Sequence, residues 1–161
     1  MKRTIIIFCL ISLFYFSGCS PAPDSGERIN SHASLPASFG FSEMNLKVIS
    51  SLINKKDGTM SILYGNEKTA LRLRENVDSV MSGEQLTLLT WKQKEDDHWL
   101  GAKIPDQLLF AETVRAEHDD KGEMQVKYEK FNGSELVRDV DTLGNASRKA
   151  FLLAQRPSIM P

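Results

Sequence analysis

Leu86-Thr87-Leu88-Leu89-Thr90-Trp91 is apolar on both faces of an extended strand. Side chains alternate along a strand, so Leu86 and Leu88 point one way and Leu89 and Trp91 the other. Both sides of this segment therefore need cover. A helix can cover one. The other calls for a curved sheet closing on its own core, a bound apolar ligand or a partner.

Outward from this strand, the flanking sequence alternates short β-rich runs with turn signals. Asn45 to Asn54 is one run, and Thr59 to Tyr64 is a second, joined by Lys55-Lys56-Asp57-Gly58. Asp-Gly tolerates the positive φ that a tight turn requires. Gly65-Asn66 ends the second run, and Asn66 is placed to cap a helix from Glu67 to about Asp78. In that helix Ala70, Leu73 and Val77 share one face, with Arg72, Arg74 and Glu75 elsewhere. Gln85 to Lys92 follows as the doubly apolar strand. Lys94-Glu95-Asp96-Asp97 is a turn, His98 to Ile104 a strand stopped by Pro105, and Leu108 to His118 another. Met124, Val126 and Tyr128 alternate with Gln125, Lys127 and Glu129, and Asn132-Gly133 is the dipeptide preferred in a two-residue hairpin turn, from which Ser134 to Val140 returns. Asn145 caps a last helix to about Gln155, with Ala146, Ala150 and Leu153 aligned, and Pro157 stops it. The expectation is an α+β domain: a curved, mostly antiparallel sheet of about seven strands with two helices.

The N-terminus carries a different signal. Lys2 and Arg3 precede an apolar run from Thr4 to Phe16, and Ser17-Gly18 lead into Cys19. This is the layout of a signal peptide, and the run is shorter than the roughly 20 residues that span a bilayer. In this setting Cys19 resembles the lipid-modified cysteine of bacterial lipoproteins, the first residue of the mature chain. Phe16 stands where such signals usually carry Leu, and an ordinary secretory signal cut elsewhere is the alternative. Several acyl chains on one cysteine give stable anchoring. Ser20 after the cysteine resembles outer-membrane sorting, which places the protein in the envelope of a Gram-negative bacterium.

The remaining cysteine, Cys9, lies inside the signal, so the mature chain has no disulfide, no thiol nucleophile and no thiolate metal site. Without Lys2 and Arg3 the 20 basic residues become 18 against 21 acidic, a net charge of −3. That balance, with no basic cluster interleaved with aromatics, argues against nucleic acid as a partner. The chain thus divides into a signal peptide at 1–18, a flexible tether at 19–40 that begins Ser20-Pro21-Ala22-Pro23, and one domain at 41–161.

Thr59-Met60-Ser61-Ile62-Leu63-Tyr64-Gly65-Asn66, Ala70 in a helix, Gly83, and a strand ending Thr90-Trp91-Lys92-Gln93 together resemble the cytochrome P460 family. The resemblance covers roughly Leu46 to Gln93 and more loosely the rest. Asp97-His98-Trp99-Leu100-Gly101-Ala102-Lys103-Ile104-Pro105 and the terminal Arg156-Pro157-Ser158-Ile159-Met160-Pro161 look like a haem-poor lipoprotein branch of it. Haem-bearing members attach a c-type haem through Cys-x-x-Cys-His near the C-terminus. This chain has neither Cys nor His after His118. The place that best matches the family's haem-modifying lysine is Leu88. The resemblance therefore implies the fold without the family's catalytic residues, and its hydroxylamine or nitric oxide chemistry is not implied.

His98 and Met60 are the residues that could ligate a non-covalent haem. His98 also reads as a solvated turn residue and Met60 as core. Of Asp96-Asp97-His98 only Asp96 and His98 share a side, too few ligands for a catalytic zinc, and His118-Asp119-Asp120 has the same weakness. No nucleophile elbow, phosphate loop or His-Glu-x-x-His motif is present. No catalytic, metal or resident-cofactor residue is therefore assigned. The functional expectation is a lipid-anchored, non-catalytic binding module with a small-ligand pocket between Trp91, His98, Trp99 and Lys103. Its partners are the membrane, through Cys19, and a small ligand or envelope protein. The alternative is a redox or detoxifying protein with non-covalent haem.

Overall fold

The structure, a computed structural model, describes residues 30–157. The signal peptide, Cys19 and the terminal Ser158 to Pro161 lie outside them. Six strands form one open sheet in chain order: β1 (Lys47–Asn54), β2 (Thr59–Gly65), β3 (Gln85–Glu95), β4 (Lys103–His118), β5 (Met124–Asn132) and β6 (Val137–Arg138). Every neighbouring pair is antiparallel. Two α-helices complete the described α+β fold: α1 (Glu67–Arg74) and α2 (Asn145–Leu153). None of the described helices is long and apolar enough to cross a membrane.

The strand count is six rather than about seven because the two strands expected around Pro105 are one. β4 runs through Pro105, which sits opposite Gln93 beside an irregularity in the ladder. A proline, which cannot donate to a ladder, is tolerated at a bulge. A second shift lies between Thr90 and Trp91. His98 to Gly101 form the turn before β4 rather than its first residues.

The β5–β6 connection differs from the two-residue hairpin that Asn132-Gly133 suggests. Asn132 pairs with Val137, which leaves Gly133 to Leu136 as a four-residue loop. Leu136 is held at φ 51° and is buried with Leu89, Trp91, Leu108 and Ala111. Burying that side chain outweighs the local preference for the shorter turn.

Both faces of β3 are covered, as its sequence requires. On one face Leu86 and Leu88 join Ile49, Leu63, Val114, Leu73 of α1 and Leu152 of α2. On the other, Leu89 and Trp91 lie under the chain's own segment before β1: Ala33, Leu35, Phe39 and Phe41 pack there. Trp91 Nε1 donates to the Ala33 carbonyl at 2.8 Å. Phe39 meets Phe131 edge-on at 5.4 Å, and Phe41 meets Tyr64 at 4.9 Å. Residues 31–40, expected in the tether, are thus part of the folded unit, which opens at Ser31.

α1 starts where Asn66 predicts. Its Oδ1 accepts from Thr69 N at 3.1 Å. It ends at Arg74, short of the expected Asp78, because Asn76 takes φ 57° and Val77 N bonds back to Arg72 O at 3.1 Å. This is a Schellman closure with Asn in the left-handed position. Arg72, expected off the apolar face, is buried instead, with Nε 2.6 Å from Glu84 Oε2. Gly65 marks a close approach, since a Cβ there would come within 2.5 Å of Ile49 Cδ1.

Candidate functional site

Alternation along the strands puts two cross-strand rows on the helix-covered face. Leu52, Ser61, Thr90 and Phe110 form one row, and Leu63, Leu88, Glu112 and Lys130 the next. α1 and the apolar part of α2 cover one end of this face. The other end is an open groove of about 910 Å³. Its floor is Ser61, Leu88, Thr90, Phe110, Glu112 and Tyr128, and Arg148 and Phe151 of α2 stand on its wall.

Glu112 is the unusual residue of the floor. It occupies a core-facing position between Phe110 and Val114 on β4 and is 1% exposed. A carboxylate so placed must be paired and hydrogen-bonded to remain charged. Arg148 supplies a two-bond fork, Nε to Oε1 at 2.8 Å and Nη2 to Oε2 at 2.6 Å. Tyr128 Oη donates to Oε1 at 2.5 Å. Burial, then the bond and charge of Glu112, push the Tyr128 phenol well above its usual range. The Glu112 bond in turn raises the Arg148 guanidinium, so both donors keep their protons. The guanidinium also lies 4.7 Å from the centre of the Phe151 ring.

The rest of the groove is built from smaller pairs. Ser61 Oγ and Thr90 Oγ1 share a hydrogen bond of 2.8 Å. Lys130 Nζ lies 3.4 Å from Asp139 and 5.5 Å from the centre of the Phe110 ring. Asp139 also accepts from Asn132 and from the Asp141 backbone, and the backbone bond leads in holding its carboxyl below the usual range. The groove therefore joins apolar surface to a few polar groups fixed by one another, the usual make-up of a small-ligand site.

The face of α2 turned to the sheet holds only one of the three residues expected there. Arg148, Lys149, Leu152 and Leu153 are turned toward the sheet, Leu153 packing against the core as expected, whereas Ala146 and Ala150 are exposed. A helix that covers a carboxylate turns cations toward it. Glu112, Tyr128 and Arg148 were absent from the sequence-derived site. The available signal was Glu112 itself, a charge on the strand face that also carries Phe110, Val114 and Ala116.

The four residues expected to form a pocket are placed apart in kind. Trp91 is buried under the N-terminal segment on the opposite face, with its indole N–H bonded to Ala33. His98 and Trp99 are exposed in the β3–β4 turn. Lys103 pairs with Glu95. None of the four lines the groove. Met60 packs beside Trp91 in the second core cluster, away from the groove. Asp96 and Asp119 serve their own turns. Asp96 Oδ1 accepts from His98 N and Trp99 N, and Asp119 Oδ1 from Lys121 N and Glu123 N. Among the described residues no three His, Cys, Asp or Glu side chains are grouped to hold a metal ion.

No family model matches the chain. No curated protein matches it either.

Proposed function

We propose that the chain is a lipid-anchored envelope protein whose cytochrome P460-like domain, lacking covalent haem, is a non-catalytic module that binds a small ligand in the groove above Glu112, Tyr128 and Arg148. One observation carries the reading: Leu88, the position that best matches the family's haem-modifying lysine, lies on the floor of this groove. The space joins apolar and polar lining, and among the described residues no His, Cys or Met lines it. It suits an uncharged or amphipathic small molecule better than an iron-ligated cofactor. Anchoring through Cys19 and sorting to the outer membrane belong to the same reading and rest on the N-terminal signal.

The test is titration of the purified mature chain with the amphipathic dye anilinonaphthalene sulfonate. Wild type is expected to give saturable fluorescence. Ser61→Trp, which fills the groove from its floor, is expected to lose most of it while keeping the wild-type circular dichroism spectrum. Equal dye binding by a folded Ser61→Trp variant would remove the groove from the account.

A further inference from the structure

The β3–β4 turn holds two apolar side chains out in solvent. Trp99 keeps 72% of its surface exposed and Leu100 all of it, at 106%. A large apolar pair at a turn tip is unfavourable in water unless something receives it. Hydrogen bonds close the turn. Asp96 N bonds to Ala102 O and Ala102 N to Trp99 O, each at 3.0 Å. Asp96 Oδ1 takes the N–H groups of His98 and Trp99 at 2.8 and 3.3 Å. Gly101 supplies the left-handed turn at φ 80°. The tip is therefore presented by a formed turn and does not fold back onto the sheet.

We infer that Trp99 and Leu100 form a second membrane contact, inserting into the interfacial layer of the bilayer to which the chain is anchored. The inference rests on the lipid-anchored part of the reading above. Three observations select a bilayer as the occupant. The tip is a convex two-residue projection. Trp is the side chain favoured at a membrane interface, where its apolar body and polar N–H are both satisfied. Cys19 and the first described residue are eleven residues apart, so the chain between them reaches at most about 40 Å. A folded unit of this size has a radius of gyration of about 14 Å. A tether of that length lets the unit turn its tip to the membrane. The nearby charges offer no cationic patch to anionic lipid: Glu95 is paired with Lys103, Lys94 offsets Asp97, and the Asp96 carboxylate, left over, accepts from the loop N–H groups. Insertion is therefore driven by apolar burial, and added salt should not abolish it.

The test uses the mature lipidated protein in vesicles of phosphatidylethanolamine and phosphatidylglycerol, with and without bromine on the acyl chains. Trp91 is buried and internally hydrogen-bonded, so quenching reports Trp99. The expected result is loss of Trp99 emission in the brominated vesicles, removed by Leu100→Asp and insensitive to salt. In Trp99→Phe the remaining Trp91 emission should be unquenched. Equal emission in both vesicle types overturns the inference, as does quenching that survives Trp99→Phe. Flotation of the same samples, compared with Cys19→Ser, reads the anchor separately. Flotation that depends on Cys19 without quenching keeps the anchor and rejects the tip.

Discussion

Arg148 closes on Glu112 as a two-bond fork across 36 positions of sequence, joining α2 to the middle of β4. The carboxylate is almost wholly buried, whereas the arginine side chain is 42% exposed. Removing the arginine leaves a buried charge with only Tyr128 to satisfy it. Arg148→Met is expected to lower the unfolding free energy by about 3 kcal/mol, as for other broken buried pairs. Glu112→Gln combined with Arg148→Met should recover part of that loss. Urea denaturation of the two variants measures both, and an unchanged midpoint for Arg148→Met would show that the fork holds nothing together.

Tyr128 is expected to make stability fall at alkaline pH. Its folded pKa is raised, chiefly by burial and by the Glu112 bond. The folded state therefore holds the phenolic proton more tightly than the unfolded chain, whose tyrosines titrate near pH 10. This contribution is fully present below pH 10 and is lost as pH rises from there through the folded pKa. Tyr64 is shifted the same way by burial. The ultraviolet band of phenolate in the mature chain should consequently appear together with unfolding. In Tyr128→Phe the fall in stability above pH 10 should be shallower.

Arg72 and Glu84 form a second buried pair, at 2.6 Å with both side chains 3% exposed or less. Arg72 Nη1 also reaches the Val77 carbonyl, and Glu84 Oε1 accepts from Met81 N. The pair thus fastens the loop between α1 and β3. Arg72 Nη2, however, has no hydrogen-bond partner among the described residues. Arg72→Met alone should cost about 3–5 kcal/mol, and Arg72→Met with Glu84→Leu much less, since replacing both charges removes their desolvation together. A double variant as unstable as the single would mean that the loop bonds, and not the charges, dominate.

The account also predicts the response to haem. His98 lies in an exposed turn and Met60 in the core of the opposite face. Titration with haemin should give no saturable shift of its Soret band, and His98→Ala should change nothing. A one-to-one spectral transition abolished by His98→Ala would restore the redox alternative.

Local chemistry made much of the fold legible. Asp57-Gly58 turns between β1 and β2, Asn66 caps α1, and the two apolar faces of β3 are both covered. Where local signals and the structure differ, distant contacts decide. Pro105 reads as a stop, yet the ladder accommodates it beside a bulge opposite Gln93. Asn132-Gly133 reads as a tight hairpin, yet Leu136 is drawn into the core. Residues 31–40 read as tether because their small and polar residues hide the few that matter, Leu35 and Phe39, whose partners on the sheet lie far along the sequence. The site was the least legible part. Its carboxylate, phenol and guanidinium come from β4, β5 and α2, and local spacing carries no trace of that meeting. The aromatic residues near His98 suggested a pocket by proximity along the chain, whereas Trp91 and Trp99 occupy a core and a solvent-exposed tip.

The most direct test of the groove as a ligand site is native mass spectrometry of the protein extracted from bacterial membranes, wild type beside Ser61→Trp. The account predicts that wild type carries a small-molecule adduct in addition to its N-terminal lipid, and that the folded Ser61→Trp variant carries the lipid alone. Identical spectra for the two proteins, with no adduct beyond the acyl chains, would contradict it.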